Sequence, residues 1–148
     1  MADEIARLSA DPYIRVAVDG FDGAGKTFFA DELGEVLRAR NHNVIRATVD
    51  RFHNPKSIRY ARGRNSAEGF YRDSYNLEAL TACLLAPLGP RGDGLYCNGV
   101  FDVDSAPPQV APFLPAALGT ILLLDGIFLP RPVFAGLRCV SVWLAVSP

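Results

Sequence analysis

Apolar residues fall into two patterns along this chain. Four short runs are apolar almost without a break: Ile14–Val18, Val44–Val49, Thr120–Leu124 and Val140–Val146. Runs of this length, with β-branched residues in each, predict strands buried on both faces, as in a parallel sheet. Between the first two runs the period changes. Phe29, Leu33, Val36 and Leu37 recur at helical spacing, which predicts a helix over Lys26–Arg40 with those four on one side. Asn41-His42-Asn43 then turns the chain into the second run. Strand, helix and strand within roughly 35 residues make a βαβ unit, so the two strands should be parallel.

The rest of the pattern is less regular. Asp3–Ala10 suits a short lead-in helix. Arg51–Arg72 is polar and irregular, with a helical turn expected near Ser66–Phe70. Asn76 is placed to cap a helix over Leu77–Leu85 that stops at Pro87. Gly89–Gly119 is rich in Pro and Gly, with a short strand expected at Val100–Val103. So long an irregular stretch in a compact domain reads as a functional loop or lid. At 148 residues and 49% hydrophobic, the whole chain, 1–148, reads as one domain. The expected fold is α/β, with three layers and helices on both faces of a mostly parallel sheet.

Composition narrows the partners. The net charge of −1 gives no bulk field for nucleic acid or an anionic membrane. Locally, seven basic residues (Arg46, Arg51, Lys56, Arg59, Arg62, Arg64 and Arg72) face only Asp50 and Glu68 over the same stretch. That is either a solvated basic face or a cationic rim for an anionic substrate. Cys83, Cys97 and Cys139 form neither a disulfide framework nor a metal knuckle, and Cys83 and Cys139 read as small core residues. No segment has the form of a signal peptide, and no apolar run is long enough to span a bilayer. The cytoplasm is the expected location.

The chemistry is concentrated where the first strand meets the first helix. Gly20-Phe21-Asp22-Gly23-Ala24-Gly25-Lys26-Thr27 is a phosphate-binding loop signature, and it lies between a strand and a helix, as that loop requires. Its glycines let backbone N–H groups approach a polyphosphate, and the N-terminal turn of the helix, up to Phe28, adds positive potential. Lys26, one of only two lysines, is placed to reach the outer phosphates and is expected to face solvent in the empty site. The Thr27 hydroxyl is placed to ligate magnesium. Two acidic residues follow core strands. Asp125 reads as the second metal-binding carboxylate or a turn residue. Asp50 reads as a base for an attacking hydroxyl, an addition to the metal shell or an ordinary strand-end residue. Ligands in open α/β sheets bind at these strand ends. With Lys26 and Asp50 as catalytic residues, the chain fits an ATP- and Mg2+-dependent kinase of a small hydroxyl compound. A nucleotide-binding protein without useful catalysis is the alternative. A P-loop GTPase is more distant, because no Asn-Lys-x-Asp segment exists.

Four stretches in order resemble the uridine kinase branch of the P-loop kinases, near phosphoribulokinase and the pantothenate kinases. They are Asp19–Thr27, Val49-Asp50-Arg51-Phe52-His53, Phe70–Leu77 and Leu123-Leu124-Asp125-Gly126-Ile127-Phe128. The resemblance implies Asp50 as the base facing a nucleoside 5′-hydroxyl, Thr27, Asp50 and Asp125 around magnesium, and His53 near the nucleobase. It implies Asp73 as a ligand of ribose hydroxyls; from the residues alone Asp73 is equally an N-cap or turn. Asp125 stands where the family has Glu, and Asp104-Ser105-Ala106 lacks the family's base-contacting His. The family continues past Val140–Val146 into an arginine-bearing lid and a final strand. The chain is therefore expected to lack both and to turn over slowly, with Arg131 and Arg138 as the nearest substitutes. The open sheet edge this would leave favours association, including a homo-oligomer.

Overall fold

The structure, a computed structural model, describes residues 2, 12–20, 23–101, 109–126 and 140–144. The four apolar runs form one parallel sheet of β1 (Ile14–Gly20), β2 (Val44–Thr48), β7 (Ile121–Asp125) and β8 (Val140–Leu144). Its spatial order is β2-β7-β1-β8. The first two strands are parallel as expected but are not neighbours. The longest crossover places β7 between them, with Val18 and Thr48 both level with Asp125.

Alternation along the central strands divides the core in two. Ile121 and Leu123 point to one face with Val16 and Val18, beneath the helix α1 (Lys26–Ala39). The face of α1 that they meet is Ala30, Leu33, Gly34 and Leu37. Val36 is exposed instead, which corrects the expected stripe: the 3.6-residue period runs from Ala30 through Leu33 and Leu37, and Val36 falls about a quarter-turn away. Leu122 and Leu124 point the other way with Ala17, Ile45 and Ala47. There they meet Leu80, Leu84 and Leu88, so helical layers cover both faces.

The irregular segments hold more structure than their composition indicates. Arg51–Arg72 contains a turn of helix, α2 (Lys56–Arg59), and most of α3 (Ala67–Asp73), whose N-cap Ser66 accepts from Gly69 N–H at 3.0 Å. Asn76 caps α4 (Leu77–Leu80) through Ala79 N–H at 2.9 Å, and the helix widens into a π-turn over Thr81–Leu85. The Gly89–Gly119 stretch carries two short antiparallel ribbons: β3 (Leu95–Tyr96) with β6 (Leu114–Pro115), and β4 (Val100–Phe101) with β5 (Gln109–Val110). Cys97 N–H donates to the Cys83 carbonyl at 2.9 Å, tying this stretch to the π-turn. The lead-in helix over 3–10, Val103 and Cys139 lie outside the described residues. So do Phe21 and Asp22 within the first resemblance stretch, Ile127 and Phe128 at the end of the fourth, and the connector carrying Arg131 and Arg138. No helix among the described residues is long and apolar enough to cross a membrane.

Candidate functional site

The first strand delivers Gly20 to the sheet's carboxyl edge, where backbone packs closely. A Cβ on Gly20 would lie 2.6 Å from the Leu144 carbonyl oxygen, so β8 can pair this tightly only with glycine there. Gly23 and Gly25 have φ of 79° and 81°, left-handed values that glycine adopts without Cβ strain. Gly25 then opens α1, whose first N–H groups have no helical acceptor and face the loop. Phe21 and Asp22 lie outside the described residues; Ala24 is half-buried in the loop.

Lys26 does not extend into solvent. Its side chain is buried and its Nζ donates to the Gly20 carbonyl at 3.3 Å, spanning the loop it serves. Exposure was expected from the charge, but the short path from the first helical residue back across the loop lets the ammonium meet a carbonyl instead. The Thr27 hydroxyl donates to Asp125 Oδ2 at 2.8 Å. Thr27 lies in the first turn of α1 and Asp125 ends β7, so the hydrogen bond joins the start of the helix to the adjacent strand end.

Asp50 is not a strand residue. β2 ends at Thr48, and Val49–Phe52 forms a 3-10 turn with the Thr48 hydroxyl accepting from Asp50 N–H at 3.3 Å. The turn lifts Asp50 off the sheet toward the loop. Tyr75 Oη donates to Asp50 Oδ1 at 3.4 Å, and His53 Nδ1 lies 2.7 Å from the Asp50 carbonyl oxygen, which fixes Nδ1 as the protonated nitrogen. The His53 and Tyr75 rings meet with centroids 4.8 Å apart.

These groups line one cavity of about 700 Å³, bounded by Gly23, Gly25, Lys26, Thr27, Phe28, Asp50, His53, Phe70, Tyr75, Asp125 and Gly126. One wall is the glycine-rich loop. The lining also carries the aromatic rings of Phe28, His53, Phe70 and Tyr75, of which Phe28 and Phe70 are exposed. Asp73 is not brought into this lining. It ends α3, where its Oδ2 is 2.9 Å from Arg62 Nε, so it is not an N-cap. Sequence reasoning missed Tyr75 as an Asp50 partner and Arg46 as a neighbour of Asp125. Arg46 Nη2 lies 2.9 Å from Asp125 Oδ1. A charged residue inside the otherwise apolar β2 run was the available signal.

The donor set around Thr27 suits a hard cation. It offers a hydroxyl and a carboxylate, both oxygen, and among the described residues no group of three His, Cys, Asp or Glu converges to hold a metal alone. Magnesium commonly binds in this way, with one or two protein oxygens completed by phosphates and water.

The glycine loop between strand and helix, its lysine, and a carboxylate one strand over give the chain the geometry of a P-loop nucleotide-binding fold. No family model matches the chain, and no curated protein matches it. Solved structures do. A candidate uridine kinase from Bacillus stearothermophilus superposes with a TM-score of 0.80 at 18% identity, over 99% of this chain and 78% of that one. A candidate fructose transport system kinase from Silicibacter sp. TM1040 gives 0.70 at 19% identity, over 99% and 72%. The protein YGR205w gives 0.54 at 16%, over 81% and 46%. The expected α/β fold with a mostly parallel sheet, and its likeness to the uridine kinase branch, are met at the level of fold.

Proposed function

We propose that the protein is an ATP- and magnesium-dependent kinase that transfers a γ-phosphoryl group to a hydroxyl of a nucleoside, uridine- or cytidine-like, or of a similar small metabolite. It acts on free small molecules in the cytoplasm, not on nucleic acid or at a membrane. The observation that carries this reading is the Thr27–Asp125 hydrogen bond in the same cavity as Lys26 and Asp50. A phosphate cradle alone would serve any nucleotide-binding protein. A second carboxylate in the same lining, Asp50, which the Thr27–Asp125 hydrogen bond does not engage, gives the cavity a base for an acceptor.

Each residue has a role set by its chemistry. Backbone N–H groups of Gly23 to Thr27 hold the phosphates, with Phe28 at the rim. Lys26 moves its ammonium from the Gly20 carbonyl to the outer phosphates and neutralises charge as the bond to the leaving oxygen breaks. Thr27 and Asp125, with Asp50 close by, are the oxygens for magnesium, which when bound spreads positive charge over the phosphates. Asp50 accepts the acceptor's hydroxyl proton as its oxygen bonds to phosphorus, while Tyr75 orients the carboxylate. His53 and the other aromatic rings of the lining suit a planar base, and Asp73, released from Arg62, suits ribose hydroxyls.

ADP release measured across nucleosides, pantothenate, sugars and sugar phosphates tests the reading. Stimulation by a nucleoside or a similar hydroxyl compound is the expected result. Magnesium-ATP binding with no acceptor raising ADP release above background would instead leave a nucleotide-binding protein without useful catalysis.

A further inference from the structure

Arg46 sits beside the site, and the kinase reading gives it no part. Its guanidinium makes two ion pairs, Nη2 with Asp125 Oδ1 and Nε with Asp31 Oδ1, both at 2.9 Å. Nη1 donates to the carbonyls of Leu123 at 2.9 Å and Ala47 at 3.1 Å. All three nitrogens of the fork are engaged, which fixes its plane.

The consequence falls on Asp125. Its side chain is 3% exposed, and both oxygens are taken, Oδ2 by Thr27 and Oδ1 by Arg46. A carboxylate this buried requires a compensating charge. In a nucleotide complex a divalent cation supplies it, but here a guanidinium is already in place. Strand register accounts for the meeting: Arg46 lies level with Leu123 on β7, two residues before Asp125 and on the same face as α1. Asp31 on α1 completes a chain of charge from the helix that opens at the phosphate loop to the metal carboxylate.

We propose that Arg46 is a resident counter-ion of the metal carboxylate. It positions Asp125 against Thr27 and supplies positive charge beside the phosphate cradle when no divalent cation is bound, so the protein retains affinity for metal-free nucleotide. This rests on the phosphate-loop reading of the same cavity. The metal-free nucleotide carries two more negative charges than its magnesium complex, so loss of the guanidinium penalises it more.

The test is the ratio of ADP dissociation constants with EDTA and with magnesium, measured by calorimetry. Removing the charge in Arg46→Met should raise that ratio about tenfold over the unaltered protein, the scale of one unit charge acting through a partly screened medium. Arg46→Lys keeps the charge and should stay within about twofold. Arg46→Gln, which keeps an amide donor for Asp125 without the charge, takes the place of Arg46→Met if that variant fails to fold. A ratio unmoved in a folded neutral variant would overturn the counter-ion role and leave the phosphate loop standing. A tenfold rise in Arg46→Lys would overturn it too, since charge would not be the cause. Absence of ADP binding by the unaltered protein would overturn the phosphate-loop reading, and this role with it.

Discussion

Replacing Gly126 with Ala probes how closely the two carboxylate-bearing segments approach each other. Gly126 directly follows Asp125, and its N–H donates to the Val18 carbonyl at 3.1 Å. A Cβ there would lie 2.2 Å from Val49 Cγ2, 2.9 Å from Cγ1 and 3.1 Å from Cβ. Ordinary contact begins near 3.4 Å, so the shortfall is 3.4 − 2.2 = 1.2 Å. Rotating Val49 does not clear it. A valine has one favoured χ1, turning it exchanges one methyl for the other, and the Val49 Cβ is itself too close. Val49 is buried in the cluster with Phe52 and Leu124, so the backbone must give way. Overpacking of this kind costs about 1–3 kcal/mol. For a domain of this size each kcal/mol moves the melting temperature by roughly 2–4 °C. Gly126→Ala should therefore melt about 2–12 °C lower by circular dichroism. Val49 opens the turn that carries Asp50, so turnover should fall as well. Gly34→Ala is the control. Its added Cβ would meet Arg46 Cδ and Leu123 Cδ1 at an ordinary 3.5 Å, and Ala in mid-helix should be neutral or stabilising by up to about 1 kcal/mol. A Gly126→Ala protein melting within about 1 °C of the unaltered one, against the expected loss, would refute the packing argument.

Other expected outcomes follow from the carboxylates and the buried thiol. Asp50→Asn should lower turnover by about 10²–10⁴ with little loss of ATP binding, whereas Asp125→Asn should weaken the magnesium dependence of binding. Identical behaviour in steady-state kinetics and calorimetry would make Asp50 a metal ligand and not a base. Burial, reinforced by nearby Cys97, pushes the Cys83 thiol from 9.0 up to about 11. The folded state thus holds this proton more tightly than the unfolded chain, so its contribution to stability is complete below pH 9.0 and is lost as pH rises toward about 11. Urea unfolding at intervals across that window should show stability falling with pH, and Cys83→Ala should flatten the fall.

Local features were legible in the sequence. The glycine-rich loop between β1 and α1 is one contiguous segment whose turns depend on its own glycines, so its place between strand and helix could be read from spacing. Asp125 was legible because an unbroken apolar run has to end at the sheet's edge, and Asn76 because capping is decided within three residues. Features that depend on register were not. Arg46 meets Asp125 across 79 positions, through strands whose adjacency depends on the late crossover that inserts β7. Tyr75 reaches Asp50 because the two segments pair as an isolated bridge at His53 and Tyr75. Asp73 pairs with Arg62 across eleven positions, a contact that its neighbours in sequence do not set. Lys26 was judged by its type, and the curvature of its own loop supplied a carbonyl partner.

The central claim is that the Gly20–Thr27 loop binds a nucleotide polyphosphate, and calorimetric titration of magnesium-ATP into the unaltered protein and Lys26→Ala tests it most directly. Lys26 should exchange its contact with the Gly20 carbonyl for a charge-assisted one to phosphate, which typically contributes about 1.5–3 kcal/mol. The account expects saturable binding by the unaltered protein and an affinity lower by roughly 10- to 100-fold in the variant, with the fold intact by circular dichroism. No binding by the unaltered protein, or equal binding by a folded Lys26→Ala, would contradict it.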